Sequence, residues 1–144
     1  MWREFIKSIS PNVTFSLPAA VDLIAKMEST LDVVISEELK GLLCETDGVL
    51  GDHDLGIIWP VRKIKEMNIV MRNLQASQRM YMLFDTLLFF AEAGNGDLFA
   101  LPIINSQVGH RSVFAWNHEN DSRTWVAPSI KVYLEWWLKG IITI

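Results

Sequence analysis

Two apolar segments joined by a glycine-rich turn restrict the possible folds of this chain more than any other feature. Residues 87–91 and 98–101 are entirely aliphatic or aromatic, and they flank the turn sequence Gly94-Asn95-Gly96-Asp97. Glycine and asparagine tolerate positive φ, so this turn can reverse the chain between two strands while the flanking side chains fill a core. We therefore predict an antiparallel hairpin inside the core of the molecule.

Helical periodicity and turn signals on both sides of the hairpin place the remaining elements. We predict a first helix that ends at Ile9, a second with Pro18 in its first turn, a third from the N-cap Ser36 to a left-handed stop at Asp47-Gly48, a fourth over residues 61–75, and a last one capped by Ser129. Short strands are predicted at residues 57–59, 113–116 and 125–127, and loops at residues 49–56 and 105–112. This order predicts an α+β fold, a single domain over residues 1–144 with a central antiparallel β-sheet and helices packed against it.

The composition places the chain outside the membrane-protein and secreted classes. Of the 144 residues, 50% are hydrophobic, yet no uninterrupted apolar run approaches the roughly 20 residues that cross a bilayer. The start, Met1-Trp2-Arg3-Glu4-Phe5, has an acid and a base where a secretory signal needs an apolar segment. The single cysteine, Cys44, fits a reducing compartment and is expected to be a buried, inert thiol. We therefore expect a cytoplasmic protein with no membrane partner.

Charge is distributed unevenly along the sequence. The net charge is -4, but residues 20–59 carry nine acidic side chains against two lysines, whereas residues 61–85 carry five basic side chains against two acids. An acidic first half disfavours direct binding of nucleic acid, whose affinity comes mainly from Lys and Arg on phosphates. It favours a protein partner with a basic surface. The acidic residues expected to contact that partner are Glu45, Asp47, Asp52, Asp54 and Asp97.

The sequence of the hairpin and of the strand after it resembles a known family. Phe-Phe-Ala-x-Ala-Gly-Asn-Gly-Asp-x-Phe at residues 89–99 and Trp-Asn-His-Glu at residues 116–119 resemble the central strands of the SUKH superfamily. The similarity extends in order over most of the chain, through Glu28 and its helix pair, residues 39–43, Asp47-Gly48, residues 113–119 and Val126-Ala127. Two departures, Val34-Ile35-Ser36 for a frequent Leu-Pro and Asp47-Gly48 for Asn-Gly, preserve the capping and turn chemistry.

Many SUKH proteins are bacterial immunity proteins. The resemblance therefore implies a non-enzymatic protein that occludes a cognate toxin, often a nuclease, by binding it. It brings no catalytic residue, cofactor or metal ion with it. Related domains also occur in a fungal regulator of cell-wall assembly, so a protein-binding scaffold or regulatory module is the alternative function.

Three local patterns allow other interpretations. Asp52-His53-Asp54 suits a hard metal ion, a basic partner or only solvent. His118 and Glu119 could ligate zinc or relay a proton, but adjacent strand residues point to opposite faces, so we favour a structural role in satisfying turn and strand-end backbone groups. Glu92 and Asp97 could form a general-acid pair, although Asp97 is expected to accept hydrogen bonds from turn amides. These last four residues define a third hypothesis, a small hydrolase, which lacks a recognised nucleophile motif.

Overall fold

Five α-helices and eight β-strands make up the part of the chain that the computed structural model describes, residues 1–78, 82–108 and 111–144. The helices are α1 (Trp2–Ile9), α2 (Val21–Leu31), α3 (Glu37–Leu43), α4 (Val61–Gln78) and α5 (Ile130–Leu138). The strands are β1 (Thr14–Phe15), β2 (Val49–Leu50), β3 (Gly56–Ile58), β4 (Leu87–Glu92), β5 (Leu98–Ile104), β6 (Gln107–Val108), β7 (Val113–Trp116) and β8 (Arg123–Ala127). The predicted α+β class with antiparallel strands and packed helices is confirmed.

The strands form two antiparallel sheets. The small sheet has the order β1-β2-β3, and the large sheet has the order β4-β5-β7-β8 with β6 paired to β5. The two sheets are joined where the Trp59 amide donates a 2.8 Å hydrogen bond to the Phe90 carbonyl. Strand β4 is an outer strand of the large sheet, so this bond holds the small sheet beside an edge that would otherwise be open.

The predicted hairpin is confirmed as the β4–β5 pair. Gly94 and Gly96 adopt φ angles of 93° and 100°, which glycine reaches without steric cost. The Asn95 side-chain oxygen accepts a 3.0 Å hydrogen bond from the Asp97 amide and so closes the turn. A Cβ atom at Gly96 would lie 2.9 Å from the His118 ring, so a larger residue would push the neighbouring loop away.

Both faces of this hairpin are covered by aromatic side chains. On one face, Phe84, Phe89 and Trp116 pack edge-to-face with ring centroids 5.4–5.7 Å apart. On the other, the Tyr133 ring of α5 lies 5.3 Å from Phe90 and 4.8 Å from Phe99. Double coverage explains why β4 is a continuous apolar run instead of the alternating pattern of a half-exposed strand.

A bulge in β4 is held by a buried amide on α4. Phe89 pairs with Ala100 and Ala91 pairs with Phe99, so Phe90 is an extra residue in the strand. Asn68, which is 1% exposed, accepts from the Phe89 amide at 2.9 Å and donates to the Phe89 carbonyl at 2.8 Å. The side chain therefore replaces a neighbouring strand at the outer edge of β4.

Two predicted helix caps are confirmed. The Ser36 hydroxyl oxygen accepts from the Leu39 amide at 3.2 Å, and the Ser129 hydroxyl oxygen accepts from the Val132 amide at 3.1 Å. Glu38 adds a second cap to α5, because its carboxylate accepts from the Ile130 and Lys131 amides. None of the described helices has the combination of length and hydrophobicity needed to cross a membrane.

Several boundaries differ from the sequence prediction. Pro18 lies outside α2, whose N-cap is Ala20, and α3 ends at Leu43, well before Asp47-Gly48. Strands β2 and β6 form in segments predicted as loops, and α4 extends to Gln78. These strands have two residues each, which is too short for a periodicity to be detected.

Replacing Asn68 by alanine should lower the free energy of unfolding by about 2–4 kcal/mol, because the Phe89 amide and carbonyl would lose their buried partner. Asn73→Ala on the exposed face of the same helix is the matched control and should change stability by less than about 0.5 kcal/mol. Both variants gain the same helix propensity, so urea unfolding of the pair isolates the edge contact. Equal stability of the two variants would contradict this role.

Candidate partner-binding surface

Three loops meet at one end of the molecule, namely residues 51–55, 93–97 and 117–121, which we call the loop end. A Cβ atom on Gly94 would lie 3.2 Å from a Leu55 methyl carbon, which places the first loop against the second. The Gly56 amide, directly after the first loop, donates to the Glu92 carboxylate at 2.8 Å. The contact between Gly96 and the His118 ring brings the third loop to the same place.

The first loop presents its polar side chains to solvent. Asp52, His53 and Asp54 form one 3-10 turn, and all three are exposed. The Gly51 amide donates to the Leu55 carbonyl at 2.8 Å across the base of this turn. His53 and Asp54 both have φ near 57°, a left-handed conformation that aspartate tolerates better than most residues. The two carboxylates are therefore exposed on a closed turn.

Asp97 is buried and holds the third loop. It is 5% exposed and accepts from the His118 ring Nδ1 at 2.6 Å, from the His118 amide at 3.1 Å and from the Asn95 side chain at 3.3 Å. Burial alone would raise the pKa of this carboxyl, but the hydrogen bonds from His118 and Asn95 lower the pKa below its ordinary value. The sequence predicted that Asp97 accepts hydrogen bonds from amides of its own turn. In the structure Asn95 accepts from the turn amide, and Asp97 instead joins the second loop to the third.

The opposite side of the third loop is fixed by an ion pair. Asp121 accepts from the Trp116 indole nitrogen at 2.6 Å and from the Met82 amide at 2.8 Å. Arg123 donates to Asp121 at 3.3 Å and to the Leu83 carbonyl at 2.9 Å. Its guanidinium also lies 5.1 Å from the centre of the Phe84 ring, a favourable cation–π contact. The loop is thus held from both sides.

Glu45 and Asp47 each stabilise the start of a helix. One oxygen of Glu45 accepts from the Met1 amino group at 3.1 Å and from the Trp2 and Arg3 amides at 2.8 and 3.2 Å. Desolvation would raise the pKa of Glu45, but these hydrogen bonds lower it below its ordinary value. Asp47 accepts from the Val61 amide at 2.8 Å, at the first residue of α4. Both carboxylates thus occupy positions where the helix dipole favours negative charge.

The structure therefore divides the five predicted partner-binding acids into two groups. Asp52 and Asp54 expose their side chains at the loop end, whereas Glu45 and Asp47 are half-buried helix caps and Asp97 is buried. Their role at an interface stays a prediction. The sequence pattern indicated only a structural or a chemical role for Glu119, but its side chain is exposed at the loop end, beside His118. Only the packing of the third loop onto Gly96 reveals that Glu119 and Asp54 share one end of the molecule.

The alternative interpretations can be compared with this geometry. Among residues 1–78, 82–108 and 111–144, no three His, Cys, Asp or Glu side chains are placed to hold a metal ion. Of the four residues of the hydrolase hypothesis, Asp97 and His118 come together, while Glu92 accepts from the Gly56 amide and lies 3.5 Å from the Lys63 ammonium. Cys44 was predicted to be buried, and this is wrong: α3 ends at Leu43, and the thiol lies exposed beyond its buried stripe.

The chain matches a protein-family model over most of its length. The model described as SMI1-KNR4 cell-wall (SUKH_6) matches residues 22–134. This range runs from α2 to α5 and includes the whole loop end. No curated protein sequence matches the chain.

Replacing Asp97 by asparagine should lower the free energy of unfolding by about 1–2 kcal/mol at pH 7. A carboxyl with a lowered folded pKa stabilises the fold above its unfolded pKa of about 3.9 and loses that contribution as pH falls through the folded value. The difference between wild type and variant should therefore shrink below about pH 4. Urea unfolding at several pH values checks this, with the exposed Asp54→Asn as control. A difference that is independent of pH would contradict the stabilisation assigned to the hydrogen-bonded Asp97 carboxylate.

Proposed function

The chain belongs to the SMI1-KNR4 cell-wall family of the SUKH superfamily, and we propose that it is a non-enzymatic immunity protein that binds and neutralises a cognate toxin. The observation that carries this proposal is the loop end, where exposed carboxylates sit on loops fixed by buried hydrogen bonds. Such a surface suits recognition of a protein more than chemistry on a small substrate.

Charge supports a basic partner. Asp52, Asp54 and Glu119 are exposed at the loop end. Enzymes that cleave nucleic acids bind phosphates through Lys and Arg, so their active-site surfaces are basic and complementary to these carboxylates. A nuclease-type toxin is therefore the partner class that we propose. Covering its active-site surface blocks access of the nucleic acid and requires no bond to be made or broken.

The rigidity of the loop end supports tight binding. Asp97 and Asp121 hold the third loop, and the Gly51–Leu55 hydrogen bond closes the first. Loops that are already ordered lose less conformational entropy when a partner docks. Exposed carboxylates then accelerate the encounter by long-range attraction, while apolar contacts at the centre of an interface set the dissociation rate.

A second candidate is a scaffold or regulatory module in cell-wall assembly. The description of the matching family model favours it. It shares with the first candidate a protein partner at an exposed surface, but it involves no toxin. The two functions differ in what happens to a cell that contains the partner alone, because only a toxin stops growth.

Neutralisation is tested with the partner itself. The tagged chain is purified from its native cells, the bound protein is identified, and that protein is expressed in a test host with and without this chain. We expect the partner alone to stop growth and co-expression to restore it. A bound partner that is harmless to the host and belongs to wall assembly would contradict neutralisation and favour the regulatory function.

The role of the loop end is tested by association kinetics. The triple variant Asp52→Asn, Asp54→Asn and Glu119→Gln should slow association with the identified partner roughly tenfold at low salt and flatten its salt dependence. Asparagine at position 54 retains tolerance of the left-handed backbone. Glu66→Gln, an exposed acid on α4, is the control and should leave the rate nearly unchanged. An unaltered association rate in the triple variant would remove these residues from the interface.

A further inference from the structure

A groove of about 380 Å³ lies between the segment after β1, strand β2 and the start of α4. It is lined by Ser16, Leu17, Pro18, Asp47, Gly48, Val49, Leu50 and Pro60. Its volume is in the range of sites that bind small ligands or single side chains. The groove adjoins the first loop of the loop end, which begins at Gly51, directly after Leu50.

The two walls of the groove are tied together by hydrogen bonds. The buried Thr46 hydroxyl accepts from the Ser16 amide at 2.9 Å and donates to the Gly48 carbonyl at 2.7 Å. The Asp47 amide donates to the Leu17 carbonyl at 2.9 Å. Because the backbones on both sides are already ordered, a ligand would enter a preformed site.

Gly48 allows the chain to pass close to Pro60 at one side of the groove. Its φ angle is 92°, and a Cβ atom there would lie 2.8 Å from the Pro60 nitrogen and 2.9 Å from the Ile58 carbonyl oxygen. Only glycine meets both conditions. The predicted left-handed position at Asp47-Gly48 therefore exists, but it shapes this groove instead of ending α3.

The chemistry of the lining is specific. Five of the eight lining residues are apolar, and Asp47 is the only charged one among them. One oxygen of Asp47 accepts from the Val61 amide, and the side chain remains half-exposed beside the groove. Leu17 lies at the rim of the groove with 82% of its surface exposed, although its carbonyl accepts a hydrogen bond from the Asp47 amide. An apolar channel with one carboxylate complements a long aliphatic stem that ends in a cation.

We propose that this groove receives a single arginine or lysine side chain of the partner. The methylene stem packs against Leu17, Leu50 and Pro60, and the guanidinium or ammonium group pairs with the Asp47 carboxylate. The inference rests on the proposed function, since the basic toxin supplies this side chain. Complementary charge identifies the occupant, because Asp47 is the one charged residue among those that line the groove.

The groove can be tested without the partner, using n-butylguanidinium as a probe of an arginine side chain. Titration into the ¹⁵N-labelled protein should shift the amide signals of Leu17, Asp47 and Leu50 saturably, with a Kd on the order of 10 mM for so small a ligand. Guanidinium without the alkyl stem should bind roughly tenfold more weakly, because it buries no methylene groups. n-Butanol, which has the stem but no charge, should also bind more weakly.

Asp47→Asn keeps a side chain that can cap α4 but removes the charge, and it should weaken probe binding about threefold to tenfold. Glu66→Gln, an exposed acid on α4 outside the groove, is the control and should leave the Kd unchanged. Absence of saturable shifts at the groove, equal binding of guanidinium and butylguanidinium, or an unchanged Kd in Asp47→Asn would each overturn the proposal. The comparison of the three probes uses the wild-type protein, so it decides the matter even if Asp47→Asn does not fold.

Failure here is distinguishable from failure of the proposed function. If the groove binds no probe but co-expression still protects cells, the protein neutralises its toxin through other residues. If the probe binds as expected but the identified partner is not toxic, the groove serves a different basic partner. That second result would support the groove as a binding site and would exclude a toxin as the partner.

Discussion

The exchange of two hydrogen bonds between the Asn68 side chain and the Phe89 backbone is the interaction on which the arrangement of the functional loops depends. Strand β4 is an outer strand with a bulge, so its exposed edge would have unpaired backbone groups. Asn68 satisfies Phe89, and the Trp59 amide satisfies the adjacent Phe90 carbonyl. The Asn68–Phe89 hydrogen bonds anchor α4 to the large sheet, and the Trp59–Phe90 hydrogen bond attaches the small sheet. The small sheet carries the first loop and the groove, and the large sheet carries the other two loops, so their common position follows from this one edge.

The five acidic residues predicted to bind a partner fall into two groups, according to what their carboxylates contact. Those of Glu45, Asp47 and Asp97 accept hydrogen bonds from the chain itself, and two of the three have lowered pKa values as a result. Those of Asp52 and Asp54 are exposed. The first group gives the surface its rigidity and the second gives it charge. Asp47 belongs to both, because it caps α4 with one oxygen and lines the groove.

Local physics made part of this structure predictable. The hairpin turn, the amphipathic helices and the Ser36 and Ser129 caps depend on residues within a few positions of one another, and the sequence indicates them correctly. The pairing of β1 with β2 and the Asn68 bridge at the bulge depend on contacts between residues far apart in the chain. For the same reason, a count of acidic residues predicted a negative surface but not which carboxylates the fold uses. Glu45, for example, binds an amide 43 positions away.

We propose that this protein docks a preformed acidic loop end and its adjoining groove onto a basic protein. Hydrogen–deuterium exchange of the chain, alone and in a stoichiometric complex with its identified partner, locates the docking surface. Docking through the loop end and the groove should slow exchange in residues 16–18, 47–55 and 117–121, with little change in α2 and α4. Slower exchange confined to the basic α2–α4 face around Lys26 and Arg62, with none at the loop end, would contradict it.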